Sequence, residues 1–121
     1  LVDEKKNILE GPGFNIFVLD DYGLCTPEKG VLNGITRDAV IKLVKELGVP
    51  FNFSSISLSK LESSLEVFAT STAGGIMPIT KINGKKINNG VFGILTKKIH
   101  QLYWDKHFDP NWSCSVKELL I

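Results

Sequence analysis

An α/β fold is predicted for this chain, because segments with the composition of β-strands alternate with segments of helical periodicity. Two helical segments carry their apolar residues on one face, and the runs between them are rich in Ile, Val and Phe. The 121 residues are enough for one hydrophobic core, and no linker rich in Pro, Gly or Ser divides them. A single α/β domain is therefore expected.

The first two predicted strands form a hairpin. Residues 15–19 are rich in Ile, Val and Phe, turn residues follow at 20–23, and a short apolar segment covers 24–25. Two apolar runs separated by a polar turn that contains glycine are typical of a β-hairpin.

Three further strands and a short helical connection are predicted downstream. The strands cover 51–56, 66–70 and 76–82, and the helical connection covers 57–64. The last two strands flank a loop of small residues. Asn83 followed by Gly84 gives a strong turn signal after the last strand.

Two longer helices are predicted from their amphipathic periodicity. The first covers 36–47, where apolar residues recur with the spacing of one helix face. Thr36 is its predicted N-cap, and Gly48 and Pro50 mark its end. The second runs from Thr96 to about 107. These helices are expected to pack on the strands.

Charge and composition argue against several classes of function. The 14 basic and 13 acidic residues nearly cancel, so no nucleic-acid or membrane partner is expected. No apolar run approaches the roughly 20 residues that span a bilayer, and a soluble, cytoplasmic protein is expected. Cys25 and Cys114 are predicted to be unpaired thiols. His100 and His107 have no further ligands at metal-binding spacing, so no metal site is predicted.

The first candidate binding segment is Gly34, Ile35 and Thr36, which leads directly into the first helix. The opening backbone N–H groups of a helix have no partner within it, and such an end attracts anions. A purely structural reading stays open, in which Thr36 only caps the helix and Gly34 only forms the turn.

The second candidate is the loop of small residues at 69–75. Small residues let the backbone approach a ligand closely, and Ser71 and Thr72 add hydroxyl donors. Tight packing beneath a neighbouring helix would select Ala73, Gly74 and Gly75 equally well. Both readings remain open at this point.

The third candidate is Glu10, a carboxylate directly ahead of the rigid turn formed by Gly11, Pro12 and Gly13. Its position favours a loop at the mouth of the first long strand. An ordinary solvent-exposed glutamate is the alternative reading.

Taken together and in this order, the three segments resemble the class IV aminotransferases. The matching motifs are EGPGFNI at 10–16, GVLNGITR at 30–37 and TSTAGGIMP at 70–78. The family consists of pyridoxal 5'-phosphate (PLP) enzymes of fold type IV. It includes branched-chain aminotransferases, D-amino acid aminotransferases, (R)-selective amine transaminases and aminodeoxychorismate lyases. The resemblance covers nearly the whole chain and implies a mixed sheet or pseudo-barrel with flanking helices.

The resemblance also implies how the cofactor is held. Glu10 would face the pyridine nitrogen of PLP and keep it protonated, so that the ring accepts electrons from the substrate. The turn at Gly34 would place the N–H groups of Ile35 and Thr36, and the Thr36 hydroxyl, around the cofactor phosphate. Thr72 would donate to the same phosphate.

Substrate binding and specificity follow from the same resemblance. The turn at Thr72 and Ala73 would present backbone N–H groups to the carboxylate side of the substrate. Many branched-chain enzymes carry glutamate where this chain has Phe14, and a phenyl ring gives that wall an apolar lining. Phe14 and the small-residue loop favour a specificity like that of (R)-amine transaminases or of branched-chain aminotransferases.

The family's Schiff-base lysine lies before the EGxG motif and is expected upstream of Leu1, so no catalytic residue is assigned in this chain. Lys5 and Lys6 fall in a predicted turn beside Asp3 and Glu4. Residues 1–121 are expected to be the C-terminal PLP-binding domain, without the N-terminal domain. By itself this domain is expected to be inactive, and the intact protein to be a homodimer.

The leading functional hypothesis is therefore a part of a PLP-dependent aminotransferase. The parent protein would move an amino group between an amine or amino acid and a keto acid. One alternative is a non-catalytic module that binds PLP or phosphate. Another is an assembly fragment that pairs with itself or with a partner.

Overall fold

Strands and helices alternate as an α/β fold requires in the computed structural model, which describes residues 1–120. Short 3₁₀ turns follow the second hairpin, at Asn88–Gly90, and the third helix, at Lys106–Phe108. The strands are β1 Glu10–Gly11, β2 Phe14–Asp20, β3 Gly23–Thr26, β4 Phe51–Phe53, β5 Glu66–Ser71, β6 Gly75–Pro78, β7 Lys81–Ile82 and β8 Lys85–Lys86, and the helices are α1 Ile35–Glu46, α2 Leu58–Glu62, α3 Ile94–Asp105 and α4 Val116–Leu119.

Strands β1 to β6 form one mixed sheet with the order β4-β3-β2-β5-β6, and β1 pairs with β2. Strands β3 and β4 are parallel, because helix α1 connects them as a crossover, and the other neighbours are antiparallel. Strands β7 and β8 form a separate hairpin. The structure confirms the predicted α/β architecture with flanking helices.

The register of the sheet brings three polar residues into one row. Asn15 on β2 is paired with Glu10 on β1 and with Thr70 on β5. Paired residues point their side chains to the same face of a sheet. This row lies on the same face as Phe17, two residues along β2.

Apolar side chains fill both faces of the sheet. Phe17 and Phe68 are cross-strand partners whose rings stack with centroids 5.0 Å apart, and they pack beneath α1 and α3. Ile16, Val18 and Val67 point to the opposite face, toward α2. The alternation along β2 follows from the period of two in a strand.

Several predicted boundaries are corrected by the structure. The hairpin at 15–25 and the short helix within 57–64 are confirmed. The strand predicted over 51–56 ends at Phe53, although Ile56 forms an isolated bridge with Ile8. The strand predicted over 76–82 ends at Pro78, which pairs with Phe68. Residue 82 in that register would oppose residue 64, which follows α2, so 81–86 form their own hairpin instead.

Helix α3 begins at Ile94, two residues before the predicted start, because a distant carboxylate caps it. Glu66 on β5 accepts hydrogen bonds from the N–H groups of Leu95 at 3.1 Å and Thr96 at 2.8 Å, and from the Thr96 hydroxyl at 2.7 Å. These bonds satisfy backbone donors that a helix leaves free at its start. The helix ends at Asp105, and the predicted last turn is the 3₁₀ segment.

Other expectations about composition agree with the structure. Within residues 1–120, no helix is long and apolar enough to cross a membrane, and no group of His, Cys, Asp or Glu side chains is arranged for a metal ion. Cys25 and Cys114 are free thiols, the first buried and the second exposed. A cytoplasmic location stays a prediction from the sequence.

Candidate cofactor site

A cleft of about 110 Å³ opens where β1, the start of α1 and the end of β5 meet. Five residues predicted to hold a cofactor line this single cleft: Glu10, Gly34, Ile35, Thr36 and Thr72. They come from three segments that are far apart in sequence. The structure therefore brings together the three candidate segments that the sequence analysis singled out.

The carboxylate of Glu10 is held by two donors on one of its oxygens. Asn15 Nδ2 lies 2.9 Å from Glu10 Oε2, and the backbone N–H of Leu32 donates to the same oxygen at 3.0 Å. The other oxygen, Oε1, accepts no hydrogen bond from residues 1–120. Glu10 is half-buried rather than fully exposed, which argues against the ordinary surface glutamate.

The start of α1 presents free backbone donors to the cleft. Gly34 occupies the N-cap position, and the first intrahelical bond runs from the Asp38 N–H to the Gly34 carbonyl at 3.0 Å. The N–H groups of Ile35 and Thr36 have no partner within the described residues. A helix of this length with free N–H groups at its start favours an anion there.

Thr36 is not the N-cap, which corrects the prediction. It is the second residue of α1, it is buried, and its hydroxyl caps no backbone N–H. The capping reading placed the helix start two residues too late, because glycine at the N-cap leaves no side-chain signal in the sequence. The Thr36 hydroxyl is therefore available to a ligand in the cleft.

Glycine is required at position 34 by a close approach. A Cβ at Gly34 would stand 2.4 Å from Oδ1 of Asn15, well inside the contact distance of the two atoms. The backbone of Gly34 itself is extended, with φ −62° and ψ 143°, and is open to any residue. Proximity to Asn15, rather than unusual backbone geometry, accounts for this glycine.

Thr70 contributes a buried hydroxyl without a partner. Its side chain is 1% exposed and lines the cleft, and its Oγ1 forms no hydrogen bond within the described chain. Buried polar atoms nearly always have a partner, so such an atom beside a cleft indicates a missing ligand or water. The sequence analysis included Thr70 in a motif but gave it no role.

The loop of small residues serves both of the purposes that the sequence left open. Thr72 lines the cleft, and Ser71 Oγ accepts the Gly74 N–H at 2.9 Å, which closes the turn. Gly75 has φ +64° and packs beneath α3, where an added Cβ would lie 3.1 Å from the ring of Trp104. Packing thus selects Gly75, while the cleft accounts for Thr72.

Ala73 is the predicted site residue that the cleft does not include. It is exposed at the tip of the turn, outside the set of residues that line the cleft. Its predicted contact with substrate stays a prediction.

Arg37 fixes the first turn of α1 from the side away from the cleft. Its guanidinium is buried and donates to the carbonyl of Pro27 at 2.9 Å and to Oδ1 of Asn33 at 3.2 Å. Burial lowers the pKa of Arg37, while the charge of Asp38 opposes that shift. The side chain also lies over the ring of Phe53, 5.3 Å from its centroid.

Asn15 and Leu32 are the site residues that the sequence analysis missed. Asn15 is a polar residue on the buried face of a strand, and a polar residue in that position requires a hydrogen-bonding partner. The period of two therefore carried a signal for Asn15. Leu32 acts through its backbone N–H and carbonyl, which no sequence pattern reveals.

Lysines of the described chain do not line this cleft. Lys5 and Lys6 lie in a turn closed by the bond from the Lys6 N–H to the Asp3 carbonyl at 2.9 Å, and both are exposed. Their position agrees with the sequence-based expectation that neither lysine is catalytic.

The donors and acceptors of the cleft fit a ligand with an anion at one end and a protonated nitrogen at the other. Free N–H groups and the hydroxyls of Thr36 and Thr70 suit an anion, and Oε1 of Glu10 suits a cation. A phosphorylated pyridine has both of these groups. The residues present therefore fit PLP.

Comparison with known proteins assigns the chain to a family. Residues 1–82 match the family model described as amino-transferase class IV. The chain belongs to the class IV aminotransferases. A protein of Methanocaldococcus jannaschii, provisionally named a branched-chain-amino-acid aminotransferase, is 41% identical over 118 residues, which are 96% of this chain and 40% of that protein.

Further relatives carry the same name. The Escherichia coli (strain K12) branched-chain-amino-acid aminotransferase is 39% identical over 105 residues, covering 85% of this chain and 34% of its own length. A branched-chain aminotransferase from Thermoproteus uzoniensis, solved with norvaline, superposes with a TM-score of 0.85 at 33% identity, covering 93% of this chain and 38% of that one. This class IV chain thus spans 40% or less of these relatives.

One solved relative contains a form of the cofactor. A branched-chain amino acid aminotransferase of the source abbreviated T.th., solved with pyridoxamine 5'-phosphate, superposes with a TM-score of 0.87 at 30% identity, covering 93% of this chain and 38% of that chain. Class IV aminotransferases therefore include proteins of this fold that bind a vitamin B6 phosphate.

Proposed function

We propose that this chain is the C-terminal, cofactor-binding part of a PLP-dependent aminotransferase of the branched-chain type. The parent protein would move an amino group between an amino acid and a keto acid. The observation that carries the proposal is the convergence of Glu10, the start of α1 and Thr72 on one cleft. When bound, PLP supplies the carbonyl that carries the amino group and the ring that accepts electrons.

Glu10 has the position and the charge to hold a protonated ring nitrogen. Its Oε2 is saturated by two donors, while Oε1 is left for a further donor. A carboxylate held in place by neighbours stabilises an adjacent positive charge without having to reorganise. Its task is to keep a proton on the nitrogen that faces it.

The start of α1 and Thr72 would hold the phosphate. The free N–H groups of Ile35 and Thr36 point along the axis of a helix of 12 residues. The Thr36 hydroxyl adjoins them, and the Thr72 hydroxyl lies across the cleft. Backbone N–H groups and hydroxyls at a helix start bind phosphate by hydrogen bonds and by the helix dipole.

The substrate side of the cleft is proposed to be apolar. Phe14 lines the cleft, and its ring fills the space above Gly11, where a Cβ would collide with it. An aromatic wall favours a hydrophobic side chain in the amino acid substrate. The predicted N–H contacts of Thr72 and Ala73 with the substrate carboxylate belong to this proposal. The relatives named above favour branched-chain substrates over amines.

Binding without turnover is proposed for the chain itself, because the lysines of residues 1–120 do not line the cleft. A homodimer is the proposed assembly of the intact protein. A non-catalytic module that binds PLP or phosphate is the alternative, and the same free donors at α1 would serve it.

Calorimetric titration with pyridoxamine 5'-phosphate tests cofactor binding, because this form binds without an imine. We expect binding that inorganic phosphate competes away, and at least tenfold weaker binding of pyridoxamine, which lacks the phosphate. Glu10→Gln should weaken the binding of pyridoxamine 5'-phosphate, with Glu118→Gln as the matched surface control. No binding at millimolar ligand would refute the proposal.

A chimera tests amino-group transfer and separates the two candidate functions. Here the matched segment of the Escherichia coli relative is replaced by this chain. If the chain comes from an aminotransferase, the folded chimera transfers amino groups from a branched-chain amino acid to a keto acid, and Glu10→Gln abolishes most of that activity. A folded chimera that binds the cofactor and transfers nothing would favour the non-catalytic module.

A further inference from the structure

We infer that Asn15 is a positioning residue, which sets the Glu10 carboxylate at a fixed spacing from the start of α1 so that one vitamin B6 phosphate reaches both. This inference rests on the proposed function. Asn15 is 5% exposed and lies at the middle of the row formed by Glu10, Asn15 and Thr70. It touches both ends of the proposed site.

Both hydrogens of the Asn15 amide group are used at the site. Nδ2 donates to Glu10 Oε2 at 2.9 Å and to the Leu32 carbonyl at 2.9 Å. A primary amide nitrogen has two donors, so its orientation is fully determined by these bonds. The side chain cannot rotate without breaking one of them.

The first consequence concerns Glu10. The Asn15 amide and the Leu32 N–H hold the same oxygen, so the direction of the other oxygen is set as well. A free glutamate side chain populates many rotamers, and fixing it before the ligand arrives removes that entropic cost from binding. Asn15 therefore prepares Glu10 for a ring nitrogen.

The second consequence concerns the phosphate end. Asn15 binds the Leu32 carbonyl, two residues before the N-cap of α1, and its Oδ1 packs against Gly34 itself. One rigid amide therefore touches Glu10 and the segment that enters the helix. The spacing between the two ends of the site follows from the size of this side chain.

A role in stability alone would not require this pattern. Asn15 lies on the apolar face that also carries Phe17, where an aliphatic side chain of similar volume would avoid the cost of burying an amide. Its hydrogen bonds all run to Glu10 and to the segment before α1 rather than to the core. The contacts therefore point to a role at the site.

The test compares Asn15→Asp, Asn15→Ala and the unaltered chain, with Asn52→Asp as the matched control. Asn52 is exposed on β4, outside the cleft. Aspartate keeps the shape of Asn15 but replaces the donor by an oxygen that repels Glu10, while alanine removes the amide without adding charge. The probes are pyridoxamine 5'-phosphate and inorganic phosphate.

We expect both Asn15 variants to bind pyridoxamine 5'-phosphate at least tenfold more weakly and inorganic phosphate within about threefold of the unaltered chain. The ring nitrogen of the bound ligand, followed by its absorbance, should lose its proton at lower pH in both variants. In a Glu10→Gln background, Asn15→Ala should change affinity less than twofold, because the carboxylate that it positions is gone. Asn52→Asp should behave as the unaltered chain does.

Two outcomes would overturn the inference while leaving the proposed function intact. One is equal affinity and equal ring titration in all variants. The other is an equal loss of phosphate and of pyridoxamine 5'-phosphate binding, which would show that Asn15 only supports the fold of α1. Failure of the unaltered chain to bind pyridoxamine 5'-phosphate would overturn the proposed function and this inference together.

Discussion

Glu66 and Thr96 are linked across 30 residues of sequence by two hydrogen bonds to one carboxylate oxygen, from the Thr96 N–H at 2.8 Å and from its hydroxyl at 2.7 Å. The second oxygen of Glu66 accepts the Leu95 N–H. Strand β5 thus caps helix α3, and it is the same strand that ends at the cofactor cleft. Stability of α3 and of the site are connected through β5.

Replacing this cap should destabilise the whole domain. Glu66→Ala removes three charge-assisted hydrogen bonds at the start of α3, and we expect the free energy of unfolding to fall by about 2–3 kcal/mol. Urea denaturation followed by circular dichroism measures this change. Glu46→Ala, at an exposed ion pair with Lys106, is the control and should cost less than about 1 kcal/mol. Equal losses in both variants would contradict the capping role.

Gly34→Ala should disturb the start of α1 by steric conflict. The new methyl group would meet Asn15 Oδ1 at 2.4 Å, and we expect a loss of about 1–3 kcal/mol in the free energy of unfolding. Asn15→Ser removes that oxygen, so the added cost of Gly34→Ala should shrink in an Asn15→Ser background. A thermal denaturation double-mutant cycle measures the difference. Strict additivity of the two changes would show that the residues do not conflict.

Thr70→Val should separate stability from ligand binding. The Thr70 hydroxyl is buried without a partner, so the near-isosteric valine should leave the free energy of unfolding unchanged or raise it by up to about 1 kcal/mol. Thr26 is equally buried, but its hydroxyl donates to the Ile16 carbonyl at 2.6 Å. Thr26→Val should therefore lower it by about 1–2 kcal/mol. Chemical denaturation of both variants decides, and a larger loss at Thr70 would contradict the assignment of an unsatisfied hydroxyl.

Stability should fall in acid through Asp20. Partial burial by itself would raise the pKa of Asp20, but hydrogen bonds from the Tyr22 N–H and from Lys60 at 3.1 Å hold it below its ordinary value of 3.8. The contribution of the charged form is therefore complete above that value and is lost as pH falls through the folded-state pKa. Asp20→Asn should cost about 1 kcal/mol at pH 7 and much less at pH 2, as denaturation at the two pH values would show. An equal cost at both would contradict it.

Local patterns in the sequence were sufficient for most elements and for the main site residues. The periodicity around Val40 and Leu43 predicted α1, and the three motifs placed Glu10, Thr36 and Thr72 in one site. What could not be predicted depends on contacts between distant segments. The early start of α3 requires Glu66, and the break after Pro78 depends on where β5 runs out of partners.

The positions of individual side chains show the same limit. Thr36 looks like an N-cap in the sequence, yet Gly34 takes that position because the chain enters the helix past Asn15. The contact between Gly34 and Asn15 joins residues on different elements, so no local pattern encodes it. Resemblance to a family supplied the roles of the residues, while the structure supplied the reason why they meet.

A crystal structure of the chain with pyridoxamine 5'-phosphate tests the central claim most directly, namely that Glu10, the start of α1 and Thr72 hold one ligand. We predict the phosphate within hydrogen-bonding distance of the Ile35 and Thr36 N–H groups and of Thr72, and the ring nitrogen facing Oε1 of Glu10. A ligand bound elsewhere, or one whose phosphate lies away from the start of α1, would contradict the account.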